Sequence, residues 1–154
     1  MVNLKLTSSA FSDCGEIPRE CGYKNGNKVP PLTVSGIPEG TKSLALIMDD
    51  PDAMEPAGKV WVHWVAWNIE PTTTELENLT TDGMTEGMTD FGEVGYGGPA
   101  PPDKRHTYIF KLYALDTELL KRISNASTKA DVEKAMEGHI IDQAILTGTY
   151  VPDQ

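Results

Sequence analysis

Ser43-Leu44-Ala45-Leu46-Ile47-Met48-Asp49-Asp50-Pro51-Asp52 decides how this chain is read. Five apolar residues in unbroken order predict a strand covered on both faces. The run then stops at three acids. Carboxylates packed together repel, and burying one unpaired is costly. Pro51 fixes its own φ and pushes Asp50 toward an extended conformation. The acids are therefore expected to be held stiffly at the mouth of a core strand, as in a binding site. A solvated turn is the alternative, because Asp and Pro are ordinary turn residues. Strand alternation with Pro51 is expected to put Asp50 and Asp52 on one side, leaving Asp49 as a structural or solvated outsider.

Two further strands extend outward from this one. Lys59–Asn68 reads KVWVHWVAWN, apolar on both faces apart from His63. Simple alternation puts Trp61, His63, Val65 and Trp67 on one face, and Val60, Val62, Trp64 and Ala66 on the other. His63 then reads either as a core histidine bonded to backbone or as an imidazole on a pocket floor. His106–Ala114 reads HTYIFKLYA, with His106, Tyr108, Phe110 and Leu112 sharing a face. Between them lies Asp90-Phe91-Gly92-Glu93-Val94-Gly95-Tyr96-Gly97-Gly98-Pro99-Ala100-Pro101-Pro102. Clustered glycines can aim successive N–H groups at an anion. No Gly-Lys-Ser/Thr follows, and prolines stand where a dinucleotide fingerprint would open a helix. No cofactor motif is therefore present.

Toward the N-terminus, Leu4 and Leu6 suggest a first strand. Residues 13–31 form a turn-rich connection, and Leu32-Thr33-Val34 a short strand. Ala53–Gly58 reads as a loop and residues 69–90 as a surface excursion. Helices come late. Thr117–Ile123 suggests a short one, and Thr128 with Asp131 suggests a capping box. Val132, Ala135, Met136, His139 and Ile140 then follow a helical stripe. Ala144–Val151 reads as the last strand.

The 154 residues suit one domain, 1–154, with a single core. A net charge of −10 opposes nucleic-acid backbones. No apolar run is long enough to span a bilayer, and the N-terminus lacks a signal-peptide core. A cytoplasmic protein with no stable membrane insertion is expected. Cys14 and Cys21 do not have metal-binding spacing, and free thiols suit a reducing compartment. The histidines and acids show no HxH or HExxH spacing, so no metal is expected.

Taken in order, Asp50-Pro51-Asp52-Ala53, Trp61-Val62-His63-Trp64, Asp90-Phe91-Gly92, Gly95-Tyr96-Gly97-Gly98-Pro99-Ala100-Pro101-Pro102 and His106-Thr107-Tyr108 resemble the phosphatidylethanolamine-binding protein family. The likeness is to its short bacterial and archaeal, Raf-kinase-inhibitor-like branch. Ile17-Pro18, Pro30-Pro31-Leu32, Ser35-Gly36-Ile37-Pro38, Gly138-His139-Ile140 and Leu146–Tyr150 extend it over nearly the whole chain. The resemblance implies a mostly β, antiparallel β-sandwich with a few peripheral helices, one near the C-terminus. It implies a pocket for small anions such as phosphate, or for a phospholipid headgroup. By motif match the pocket residues are Asp50, Asp52, His63, Gly98, Pro99, His106 and Tyr108, bordered by Trp61. The family pattern usually has proline where Met54 stands, so a looser pocket rim is expected. The branch's cysteine position holds Tyr23, so no disulfide carries over.

Three functions follow as expectations. The first is a binder of a small anion or phosphorylethanolamine-like headgroup, with a regulatory role. The second is an inhibitor of a protein kinase or protease, which the family implies for some members. The third, ranked last, is a hydrolase, since the acids and histidines lack a clear nucleophile or a GxSxG elbow. The branch also implies homodimers.

Overall fold

The computed structural model describes residues 4–71, 85–118 and 127–152. In chain order the strands and helices are β1 (Lys5–Thr7), β2 (Gly15–Glu16), β3 (Thr33–Ser35), β4 (Ser43–Asp50), a single helical turn α1 (Met54–Ala57), β5 (Trp61–Ile69), β6 (Thr85–Glu86), β7 (His106–Leu115), α2 (Lys129–Met136) and β8 (Ile140–Tyr150). The fold is mostly β. Six strands form one sheet in the order β2-β8-β7-β4-β5-β6, antiparallel except for the β2–β8 pair. β1 and β3 make a second, two-stranded antiparallel sheet.

β4 is buried along its whole length, as its apolar run requires. Its two faces feed two separate cores. Leu44, Leu46 and Met48 pack with Trp64, Tyr108, Phe110 and Leu112 and with Leu6 and Val34 of the small sheet. Ala45 and Ile47 pack with Val65, Trp67, Leu115 and the α2 residues Val132, Ala135 and Met136. A strand between two covers has no polar face, which is why its sequence does not alternate.

β5 departs from simple alternation. Met48 pairs with Trp64 but the next β4 residue, Asp49, pairs with Val62, so His63 is an extra residue opposite that step. Such a bulge advances the side-chain phase by one. Val62 consequently packs with Val65 and Trp67 against the α2 side. Trp64 and Ala66 lie in the other core. The expected grouping of His63 with Val65 and Trp67 is therefore corrected. A second shift lies between the Leu44–Ile69 and Leu46–Ala66 pairs, where Asn68 adopts φ 57°.

Other differences are local. Ala53–Gly58 is ordered as α1, with Pro51–Ala53 forming a 3-10 turn before it. Met54 has helical φ −55° and ψ −38°, and its carbonyl accepts the Gly58 N–H at 3.0 Å. The expected loosening at Met54 thus meets a closed turn. Thr128 and Asp131 form the capping box of α2, with the Thr128 N–H donating to Asp131 Oδ2 at 3.0 Å. The helix stops at Met136 because Glu137 leaves helical geometry at ψ 128°; with Gly138 at φ 79° it makes a turn closed by the His139 N–H to the Met136 carbonyl at 2.9 Å, so Ile140 opens β8 instead of continuing the stripe. Residues 85–86 at the end of the expected excursion pair with β5 as a short edge strand. The expected helix at Thr117–Ile123 falls mostly outside the described residues, as does most of the excursion before Thr85. Both cysteines are free thiols, Cys14 exposed and Cys21 buried.

Candidate functional site

A cavity of about 190 Å³ opens where β4, β5 and β7 reach the same end of the large sheet. Its polar lining comes from Asp50, His63 and His106. Its apolar lining comes from Ala53, Ala57, Trp61, Phe91, Ala100 and Pro102. Sequence periodicity alone places neither Phe91 nor the Ala100–Pro102 wall there.

His106 is the most tightly held group. It is buried at the first position of β7. Its Nδ1 lies 2.6 Å from Asp50 Oδ2, and its Nε2 lies 2.7 Å from Asp103 Oδ1. An ionised carboxylate only accepts, so with Asp50 and Asp103 both ionised each ring nitrogen donates and the ring is an imidazolium. Burial works to lower its pKa, but the bonds and charges of Asp50 and Asp103 outweigh that and raise it above the usual 6.5. Asp50 itself is raised above 3.8 by burial, which exceeds the opposing pull of His106. For Asp103, on the solvent side, desolvation is the largest single influence and raises the pKa, but the bond and charge of His106 together with nearby backbone N–H groups outweigh it and leave it lowered.

His63 is the opposite case. Its Nδ1 lies 2.7 Å from the Gly97 carbonyl, so Nδ1 donates. Burial drives its pKa down to about 4, against a smaller raising effect from the Gly97 bond. The ring is neutral near pH 7, and Nε2 carries a bare lone pair. The bulge explains this placement. Gly97 N–H donates back to the His63 carbonyl at 2.8 Å, so the 95–99 loop satisfies a residue that the neighbouring strand leaves unpaired. Phe91 meets the ring edge-on at 5.2 Å, and Tyr108 does so at 5.1 Å.

The remaining motif residues are not all brought together. Asp50 and Asp52 diverge, which corrects the expectation that they share a side. Asp50 Oδ1 accepts the Asp52 N–H at 2.9 Å, closing the 3-10 turn. That turn ends strand alternation at Asp50, and the exposed Asp52 instead accepts the Thr107 N–H at 2.8 Å. Gly98 and Pro99 stand behind the cavity wall. The Gly98 N–H donates to Asn27 Oδ1 at 2.6 Å and the Pro99 carbonyl accepts the Tyr23 N–H at 2.9 Å. The Gly97 and Gly98 amides already have internal partners, so the glycine cluster does not turn these two N–H groups toward an anion. Trp61 borders the cavity.

Tyr108 is fully buried between the two imidazoles, with ring centroids 5.1 Å from His63 and 6.3 Å from His106. Among the described residues its hydroxyl makes no hydrogen bond of good geometry, although the Asp50 carboxyl and the Ala100 backbone lie near enough to act on it. Burial, and then the charge of Asp50, push its pKa far up, so it remains a donor. Asp49, the outsider, is buried on the opposite sheet face. There it takes Lys129 at 2.7 Å and Lys111 at 3.2 Å on one oxygen, a structural tie between the sheet and α2.

The residues missed by sequence reasoning are chiefly Asp103 and Phe91. Asp103 had one local signal, an acid three residues before a strand-opening histidine. Phe91 stacks on Tyr23 at 4.1 Å and meets Trp61 edge-on at 5.8 Å, contacts between segments far apart in sequence.

A mostly β domain with a small mixed-polarity cavity at one sheet end is the class of protein that the geometry defines. Comparison with known proteins gives the family. The model described as phosphatidylethanolamine-binding protein matches residues 7–151, and the chain belongs to that family. It is 45% identical over 153 residues to a UPF0098 protein of Methanothermobacter thermautotrophicus, covering 96% of this chain and 98% of the other. Among solved structures it is similar to the phosphatidylethanolamine-binding protein homolog CT736 of Chlamydia trachomatis, with TM-score 0.91, 37% identity and coverage of 99% and 100%. It is also similar to E. coli YbcL, described as a member of the mammalian PEBP family, with TM-score 0.87, 34% identity and 99% of each chain covered. Membership supports a ligand-binding role in general. Among the described residues, no helix is long and apolar enough to cross a membrane.

Proposed function

We propose that the cavity binds a small ligand carrying both an anionic and a cationic group, such as phosphorylethanolamine or a lipid headgroup of that kind. The observation that carries this reading is the buried His106 ring held between the carboxyl groups of Asp50 and Asp103, which favour its cationic form, at the edge of an otherwise largely apolar cavity. A cationic N–H is a strong donor to a phosphate oxygen. The carboxylates of Asp50 and Asp103 favour an ammonium group, and the faces of Trp61 and Phe91 add cation–π attraction. The His63 Nε2 lone pair accepts from a donor on the ligand. The cavity suits a headgroup rather than an acyl chain. Asp50, His63, His106 and Trp61 are assigned direct contact, with Tyr108 behind them. Asp52, Gly98 and Pro99 are assigned the support of those elements.

Calorimetric titration tests this reading. Phosphorylethanolamine is expected to bind more tightly than inorganic phosphate or ethanolamine alone, and His106→Ala is expected to abolish the difference. Equal heats from wild type and His106→Ala would remove His106 from the site.

A further inference from the structure

We propose that Asp103 is a specificity-determining residue that acts as a built-in competitor for the ligand's anionic group. The inference rests on reading the cavity as a ligand site. Both polar atoms of the His106 ring are already engaged, Nδ1 by Asp50 at 2.6 Å and Nε2 by Asp103 at 2.7 Å. An incoming oxyanion that takes an N–H from this ring must therefore displace one carboxylate.

The two carboxylates are not equivalent. Asp50 is 4% exposed, lies in a central strand, and also holds the Asp52 N–H. Asp103 is 36% exposed and lies between Pro102 of the cavity wall and the start of β7. Moving Asp103 gives up its bonds to the backbone N–H groups of residues 103 and 104, but it transfers the charge into water and disturbs no strand pairing. Moving Asp50 breaks the 3-10 turn and leaves a charge buried. Asp103 is thus the replaceable partner, and its carboxylate occupies the seat that a phosphate or carboxylate oxygen would take at Nε2.

Two consequences follow for selectivity. A weak or singly charged anion competes poorly with a tethered carboxylate, whose local concentration is high. A zwitterion gains on both counts, because its oxyanion replaces Asp103 at His106 while the displaced carboxylate remains close enough to meet the ligand's ammonium. The seat therefore discriminates against simple anions and in favour of ligands carrying an adjacent positive charge.

The test compares wild type, Asp103→Asn and Asp103→Ala, each titrated with inorganic phosphate and with phosphorylethanolamine. Asp103→Asn preserves shape and a neutral acceptor, whereas Asp103→Ala vacates the seat. Phosphate is expected to bind about tenfold more tightly to Asp103→Ala than to wild type, the size of a partly exposed charge-assisted hydrogen bond. Phosphorylethanolamine is expected to gain less, so the preference for it over phosphate should shrink. The His106 side-chain 15N signals report whether each variant retains the folded ring environment. Equal phosphate affinity in all three proteins, with phosphorylethanolamine still bound, overturns the competitor role and leaves the ligand reading standing. Weaker phosphate binding in both variants also overturns it. Failure of all three proteins to bind either compound overturns the ligand reading and this inference with it.

Discussion

His106 Nδ1 and Asp50 Oδ2 lie 2.6 Å apart with both side chains buried, joining the first residue of β7 to the last of β4. Removing one partner of such a pair leaves an uncompensated buried group. Asp50→Ala also removes the acceptor for the Asp52 N–H. The expected loss is on the order of 3 kcal/mol in urea unfolding. The His106 pKa, followed by NMR, should fall as one of its two raising partners disappears.

The two cavity histidines predict a stability maximum near neutral pH. His63 titrates at about 4 when folded against 6.5 as the reference. Between those values the unfolded chain binds a proton that the folded chain does not. Its contribution is complete above the unfolded value and declines as pH falls through the window, by roughly 3 kcal/mol in total. His106 has the reverse sign. Its folded pKa is raised, so its contribution is present below 6.5 and fades as pH climbs through the folded value. Asp50, raised above 3.8, opposes His63 at the acid end. His63→Asn retains an amide N–H for the Gly97 carbonyl and removes the titration. Urea unfolding at a series of pH values should show a flatter acid limb for this variant than for wild type.

Asp49 offers a test on the other face of the sheet. Its carboxylate is buried and depends on Lys129 and Lys111 for neutralisation. The double variant Lys111→Met/Lys129→Met leaves that charge unpaired and should lose about 3–5 kcal/mol. Adding Asp49→Asn to the double variant removes the stranded charge and should recover most of the loss. If the triple variant is no more stable than the double, the lysines act through packing rather than charge.

Gly98 is closed to substitution for a reason away from the cavity. A Cβ there would collide with the Cys21 carbonyl oxygen and stand 2.9 Å from the Tyr23 nitrogen. Both are backbone atoms and cannot swing aside. Gly98→Ala is expected to cost at least about 2 kcal/mol, because the 95–99 loop and the 21–23 segment must separate. Thermal unfolding measures it, with His63 ring shifts reporting the loss of the Gly97 bonds.

The legible part of this fold was the part governed by strand period alone. β4 and β7 announced themselves, as did the shared face of His106 and Tyr108. The position of Asp50 at a strand mouth was legible for the same reason. The bulge at His63 was not, because two residues facing one depends on how Met48 and Asp49 pair, a property of the neighbouring strand. The divergence of Asp52 was hidden because Asp-Pro-Asp suits an extended exit as well as a 3-10 turn. Asp103 was hidden because an acid in a proline-rich turn looks like any solvated acid until the partner of His106 Nε2 is known. The partners of the Gly97 and Gly98 amides were hidden because their acceptors, His63 O and Asn27 Oδ1, lie far away in sequence.

Tyr108 separates the requirements of folding from those of binding. Among the described residues its buried hydroxyl has no hydrogen-bond partner of good geometry, although the Asp50 carboxylate and the Ala100 backbone lie beside it. Leaving a buried donor unmade costs free energy, whereas replacing it with a hydrogen of the same shape does not. Tyr108→Phe should therefore leave the free protein as stable as wild type, or stabilise it by up to about 1–2 kcal/mol. A ligand oxygen or water brought into the cavity supplies the missing acceptor, so saturating phosphorylethanolamine should stabilise wild type more than Tyr108→Phe. Unfolding each protein with and without the ligand completes the cycle. An equal ligand-induced shift in both would show that the hydroxyl takes no part in binding. A large loss of stability in the free variant would show instead that the hydroxyl is already satisfied within the fold.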